Sequence, residues 1–222
     1  MFIPSGNVVI GARSATVEFI ASGSNTSNPI TSFTISSASL GPSDPSRQII
    51  VACQRIDISS SSNNSCTVAG VAAASVFTFS PFSTSQSKFW ITPRQDAGGP
   101  SGATGNIVVG FSANILATTV VAFAAYNLRN GTAVFDADGI SANPGQVSID
   151  LPGGGILVGA AQQSGTPGAF TWTGASEVVD TLGSGVTSTL RRTGALTSKT
   201  TATTGHTVGV TAQATIIAAS FR

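Results

Sequence analysis

The sequence predicts an all-β chain, an antiparallel β-sandwich of jelly-roll type, and three observations carry that expectation. No stretch long enough for a helix keeps a 3.6-residue apolar period without a glycine, a proline or a β-branched cluster breaking it. Short runs rich in Val, Ile, Thr and Phe recur along the whole chain, separated by turn text such as GPSDPS, SSSSNNS, QDAGGPSGATG, NPG, LPGGG and SGTPG. At 222 residues the chain also falls in the range, roughly 200–250 residues, that a large sandwich reaches as one domain.

Taken in order, the first strands are expected at Thr16–Ile20 and Ser32–Ala38, where apolar and polar residues alternate, and at Gln48–Ile56, where QIIVACQRI is apolar on both faces. CTVAGVAAASVFTF predicts one long strand, Cys66–Phe79, followed by Lys88–Ile91, Asn106–Ser112 and Thr118–Tyr126. After a turn-rich interval come Gln146–Asp150, Ile156–Gln162, Ala169–Gly174, Val186–Arg191, Thr207–Val210 and Thr215–Phe221. IIVA, VVAFAA and TIIAAS are apolar or small on both alternating faces, which suits strands in the middle of a packed sandwich. Phe33, Phe77, Phe79, Phe111, Phe123 and Phe221 supply bulk beside those small residues.

Five segments of the first half match five of the second in the same order. FTIS at Phe33–Ser36 matches VSID at Val147–Asp150, QIIVACQ (48–54) matches GILVGAAQQ (155–163), and CTVAGVA (66–72) matches FTWTGAS (170–176). TGNIVVGFSA (104–113) then matches TGHTVGVTAQ (204–213), and TTVVAF (118–123) matches ATIIAA (214–219). The offset shrinks from 114 residues, Phe33 to Val147, to 96, Thr118 to Ala214. Duplication of a five-strand unit with unequally trimmed loops would leave this pattern, and chance matching in low-complexity β sequence is the alternative. The expected organisation is a sandwich over residues 26–222 with halves near 30–128 and 145–222. Residues 1–25 form either an arm toward a neighbouring subunit or an edge strand.

Charge is scarce. Ten Lys and Arg and nine Asp and Glu give a net charge of +1, whereas about a quarter of an average soluble domain is charged. The basic residues are dispersed, with Arg191 and Arg192 the adjacent pair, so the electrostatic footprint of nucleic-acid binding is missing. MFIPSGNVVIGARSATVEFI has neither the basic opening nor the unbroken apolar segment of a secretory signal. The best apolar run, Ile115–Leu128, carries threonines and is too short for a membrane helix, so membrane insertion is not expected.

Candidate chemistry is thin. Cys53 and Cys66 flank IDISSSSNNS, and a hairpin there sets them across from one another, either as a disulfide or as two buried thiols; a reducing cytosol favours thiols. His206 in TTGHTVGV has no G-x-S-x-G elbow to serve and reads as a turn or edge residue. Asp136, Asp138 and Gly139 resemble the start of a calcium loop, but no closing glutamate follows, and an aspartate-rich turn is the simpler account; Asp150 or a carbonyl would have to complete a site. Glu177 and Asp180 come closest to a paired-carboxylate site, although a three-residue spacing gives no claim to face one another across a cleft. Trp90, Tyr126 and Trp172 are the candidates for stacking on sugar rings, with core anchoring the competing role for Trp172. The expectation is no catalytic residue, no metal and no cofactor.

FTISSASLGPSDPSRQIIVA, CTVAGVAAA, ATGNIVVGFS, LPGGGILVGAA, FTWTGASEVVD and the terminal AASFR together resemble bacteriophage and prophage virion surface proteins, a diffuse group of Ser/Thr/Gly-rich β-sandwich chains. The resemblance spans about residues 30–222 and rests on strand and turn text. It implies an accessory structural role, as head decoration, head fibre or tail appendage, in a virion assembled in the host cytoplasm. The implied partners are further copies of the chain, with a trimer favoured, and other virion proteins. The alternative is an adhesin module that recognises a host surface glycan.

Overall fold

A strand that is apolar on both faces needs cover on both faces, and the architecture supplies it by stacking four sheets. The computed structural model describes residues 13–26, 29–57, 62–129, 131–165, 168–184 and 189–222. Among these residues there is no α-helix, only a 3-10 turn at Gln95–Ala97, and no helix long and apolar enough to cross a membrane. The first half contains β1 (Thr16–Asn25), β2 (Ile30–Ser39), β3 (Gln48–Ile56), β4 (Asn63–Val68), β5 (Val71–Ala72), β6 (Ala74–Phe82), β7 (Ser85–Ile91), β8 (Thr104–Ile115) and β9 (Ala117–Tyr126). The second contains β10 (Asp136–Ala142), β11 (Gly145–Leu151), β12 (Gly155–Ser164), β13 (Trp172–Thr173), β14 (Ser176–Ser184), β15 (Thr189–Lys199), β16 (Thr203–Val210) and β17 (Ala214–Phe221).

Each half is a sandwich of two antiparallel sheets. In the first, β1-β9-β3-β7-β6 lies over β2-β8-β4-β5; in the second, β10-β17-β12-β15-β14 lies over β11-β16-β13. Read strand for strand, the two orders are one winding, with β1 and β10, β3 and β12, and β9 and β17 in equivalent places. Consecutive strands alternate between sheets at the start of each half, and the last strand returns to pair with the first. This is the jelly-roll pattern. All five matched sequence segments fall on equivalent strands or on the links between them. The equivalence extends beyond them: β1 and β10 also correspond, although neither belongs to a matched segment. Residues 16–25 form the edge strand β1, paired with β9; residues 1–12 of the expected arm lie outside the described residues.

The period-two alternation of strands sorts the buried side chains into three cores. Ile49, Val51 and Cys53 of β3 and Val120, Ala122 and Ala124 of β9 point into the first sandwich, where Leu40, Val68, Trp90, Ile107 and Val109 meet them. Leu157 and Ala161 of β12 and Ile216 and Ala218 of β17 point into the second, against Ile149, Trp172 and Val208. The alternate residues make a third core between the sandwiches: Ile50, Ala52, Val121, Phe123 and Ala125 from one inner sheet meet Ile156, Val158, Ala160, Ile217, Ala219 and Phe221 from the other. Phe19 closes its margin with an edge-on contact to Phe123, ring centroids 6.5 Å apart. The outer sheets have one wet face each, as the strict alternation of β11 shows, with Val147, Ile149 and Leu151 buried and Gln146, Ser148 and Asp150 exposed.

Polar contacts fasten the seam between the halves. Gln54 stands opposite Thr119 in the β3–β9 pair, and Gln162 stands opposite Thr215 in the β12–β17 pair. The Gln54 amide donates to the Thr215 carbonyl at 2.9 Å, and the Thr119 hydroxyl donates to Gln162 Oε1 at 2.8 Å. These two bonds link the corresponding strand positions of the two halves reciprocally, although one uses a backbone carbonyl and the other a side-chain hydroxyl. Arg192 of β15 reaches across to Ser24 Oγ at 2.5 Å, and Ala15 N donates to Gly154 O at 2.9 Å.

Three expectations need correction. Cys66–Phe79 is not one strand: Ala69 and Gly70 take left-handed backbone angles and make the hairpin turn between β4 and β5, after which β6 crosses to the inner sheet. β14 went unread because SEVVDTLGS carries two acids and a glycine; it is an edge strand paired to β15. Asp136–Gly139 is not a turn but the start of β10, paired residue for residue with β17. Its glycine, a turn signal in sequence, serves packing, because a Cβ at Gly139 would lie 2.6 Å from Phe79 Cγ of the other sandwich.

Gly159 has the same kind of role inside the second sandwich, where the Trp172 ring lies against its backbone and a Cβ would approach ring carbons to 2.9 Å. Gly159→Val therefore forces the buried indole to move, and urea denaturation is expected to register a loss of about 1–3 kcal/mol, the usual range for overpacking. Unchanged stability would show that the ring has room to shift.

Candidate functional site

The larger of two described clefts opens at one end of the seam and is walled by both halves. The ends of β3 and β12 deliver Gln54, Gln162 and Gln163, the β6–β7 hairpin delivers Phe82, Thr84 and Ser85, and the β10 and β17 termini deliver Ser141 and Thr215; Gln213 adds an exposed amide. Its volume is about 290 Å³. Gln54 bridges the floor, its amide also lying 3.3 Å from Ser87 Oγ. The register slips between Phe79 and Phe82, a bulge that leaves Phe79 packed at the seam while Phe82 stands 61% exposed at the rim. Arg55 is the ionisable group in the wall, with its guanidinium 4.0 Å from the Asp57 carboxylate and both side chains almost wholly buried. Burial pulls Arg55 below its ordinary value, and Asp57 opposes that. A smaller cleft of about 200 Å³ lies beside Pro144, Gln146, Thr173 and Thr211. Among the described residues, neither cleft has a carboxylate or a histidine in its wall.

The aromatic residues proposed for sugar stacking do not converge. Trp90 is 2% exposed in the core of the first sandwich, with Lys88 Nζ 5.5 Å from its ring centroid. Trp172 is 8% exposed in the core of the second, where its indole N–H donates to Thr193 Oγ1 at 2.8 Å. Tyr126 packs against the first core and donates its hydroxyl to Glu18 Oε1 at 2.7 Å; burial, then the Glu18 carboxylate, pushes its pKa up. Neither tryptophan offers an open ring face to a ligand, since both are buried in their cores and the Trp172 ring lies against Gly159 of the facing sheet.

Cys53 and Cys66 are both free and buried. The hairpin expected between them does not form: β3 belongs to the inner sheet and β4 to the outer, so the two thiols sit on facing sheets in one core. Burial pushes Cys53 up to about 12, partly offset by its 3.3 Å contact with Thr118 Oγ1, and pushes Cys66 up as well.

The remaining charged groups are held in local structure. Asp136 Oδ2 accepts from Asp150 N and Asp150 Oδ1 accepts from Gly205 N, both at 2.7 Å, while Asp138 caps its neighbour Gly139 N. Among the described residues no three or more His, Cys, Asp or Glu side chains gather as a metal-binding group. Asp180 is gripped by Arg191 through two bonds of 2.6 Å. Glu177, exposed on the same strand β14, is raised by partial burial and by the Asp180 charge. His206 meets the Gly174 carbonyl through Nε2 at 2.7 Å. Arg47, 1% exposed, donates to the carbonyls of Gly41, Pro42, Pro100 and Gly102 and so ties two long loops together.

Sequence reasoning passed over the cleft residues. The signal that could have found them was the glutamine ending both matched segments, QIIVACQ and GILVGAAQQ. Compared with known proteins, the chain matches no family model, and no curated protein or solved structure is significantly similar to it.

Two outcomes follow from these environments. A thiol-specific reagent at neutral pH is expected to label neither cysteine in the native chain and both in denaturant, since thiolate and access are both denied; rapid native labelling would contradict the burial. Glu177 has a raised folded pKa, so its contribution to stability is complete below the ordinary glutamate range and is lost as pH rises through the raised value. Glu177→Gln should therefore unfold at slightly higher urea than the wild type at pH 7 and at the same urea at pH 3, and an equal or lower midpoint at pH 7 would refute the assignment.

Proposed function

We propose that the chain is a non-enzymatic structural component on the surface of a phage-like particle, as head decoration, head fibre or tail appendage, self-associating as a cyclic oligomer with a trimer favoured. The observation that carries this reading is where the few charged side chains are used. Arg47 fixes loops, Asp180 is clamped by Arg191, and Asp136 and Asp150 hold backbone amides. General acid–base or nucleophilic chemistry needs such groups gathered and facing a cleft, and both described clefts are walled without a carboxylate or a histidine.

The architecture supports the same reading. Jelly rolls recur in viral capsid and lectin domains, although a fold by itself leaves function open. The wet face of β2 is covered by hydroxyls, with Thr31, Ser32, Thr34, Ser36 and Ser37 all exposed. Leu182 is 53% exposed on the edge strand β14, and an open edge with an apolar side chain is a natural seat for another subunit.

Mass spectrometry of purified particles tests the location: the chain should co-purify with head or tail proteins, and its absence from intact particles would refute the proposal. Native mass measurement tests the assembly, with a clean monomer at high concentration as the result that removes the oligomer.

A further inference from the structure

We infer that the cleft between the two jelly rolls is a binding site for a neutral sugar, the terminal residue of an uncharged glycan. The inference rests on the cleft alone and is independent of any place on a particle.

The chemistry of the walls selects the ligand class. The amides of Gln163 and Gln213, the Gln54 oxygen and Gln162 nitrogen left over from the seam bonds, and the hydroxyls of Thr84 and Ser141 present both donors and acceptors. A polyhydroxylated ring offers the same mixture in return. A charged ligand has little to meet: the cleft wall has no carboxylate, and the Arg55 guanidinium already faces the buried Asp57 carboxylate. An anion would have to compete with that carboxylate, and a cation would find no counter-charge. A purely apolar ligand would bury the amides without partners, at a cost of about 1–3 kcal/mol for each group left unsatisfied.

Two further observations point to a guest. Ser85 Oγ and Gln163 Oε1 are shielded from solvent and have no hydrogen-bond partner in the protein, and buried polar atoms in native structures are rarely left so. Both side chains belong to the cleft wall, so a small rotation aims either at a bound hydroxyl. At the rim, Phe82 is turned outward by the bulge that separates it from Phe79. Its exposed face can cover the apolar C–H face of a sugar ring while the amides hold the hydroxyl edge. Location agrees, since ligand sites favour interfaces between domains, and the volume of about 290 Å³ falls just under the lower limit of drug-sized pockets, about 300 Å³, which suits a single sugar ring.

The site also explains why binding would not lead to cleavage. Glycoside hydrolysis needs two carboxyl groups roughly 5–10 Å apart across the bond, and the cleft has none in its wall. Glu177 and Asp180 are on β14, with Asp180 clamped by Arg191.

The test uses the full chain and saturation-transfer NMR with galactose, glucose and N-acetylglucosamine as neutral probes and sialic acid as the charged one. At least one neutral sugar should receive saturation and sialic acid should not. Gln163→Ala and Phe82→Ala should each weaken that binding at least tenfold, whereas Phe135→Ala, which removes another exposed phenylalanine, should leave it unchanged. Phe82 is a surface residue, so its variant keeps the core intact, and a wild-type urea midpoint confirms it. Silence from every neutral sugar, a preference for sialic acid, or full binding in both cleft variants would each overturn the inference.

Discussion

The dry seam between the two inner sheets is the constraint on which the rest of the structure depends. Every residue of β3 from Gln48 to Arg55 and of β9 from Ala117 to Ala125 is buried, because one set of alternate side chains belongs to its own sandwich and the other to the seam. Two consequences follow for composition. Small residues such as Ala52, Ala125, Ala160 and Ala219 fill much of the seam, which lets the sheets come close, and charges are excluded from four whole strands except near their ends. Seen this way, the low charge of the chain follows in part from geometry: a four-layer stack has only two outer faces to keep wet.

Where polar groups do enter the interior, they are paired in ways that fix the relation of parts. Arg47 replaces water with four loop carbonyls, which is how a guanidinium with five donors and no acceptor can be accommodated inside a protein. Gln54 and Gln162 perform the same service between the halves. Buried amides are tolerated only when their partners are at hand, so a sliding of one inner sheet past the other would strand both glutamines at once. The seam is thus held in register by polar bonds and held together by apolar area.

Much of this was legible in the sequence, and the remainder was hidden for physical reasons. The class was readable because IIVA, VVAFAA and TIIAAS have no wet face, and the five matched segments lie on equivalent strands. Runs apolar on both faces report that each face is covered without saying by what, so one sandwich and two stacked sandwiches look alike from Ile50 or Val158. β10 was hidden because an edge strand can carry Asp136, Asp138 and Gly139 and still pair along its whole length. The candidate site was less legible. Trp90 and Trp172 drew attention by residue type, yet large aromatics fill cores more often than clefts, and a cleft made of glutamine and serine leaves no distinctive spacing in the sequence.

The third core also sets how the molecule comes apart. Neither jelly roll possesses a wet exterior on its inner sheet, so the loosening of one strips the cover from Phe123 or Phe221 in the other and exposes an apolar plane of strands. The halves share one winding, and because each inner sheet is the cover of the other, the expected consequence is a single cooperative transition in which neither sandwich persists without its neighbour.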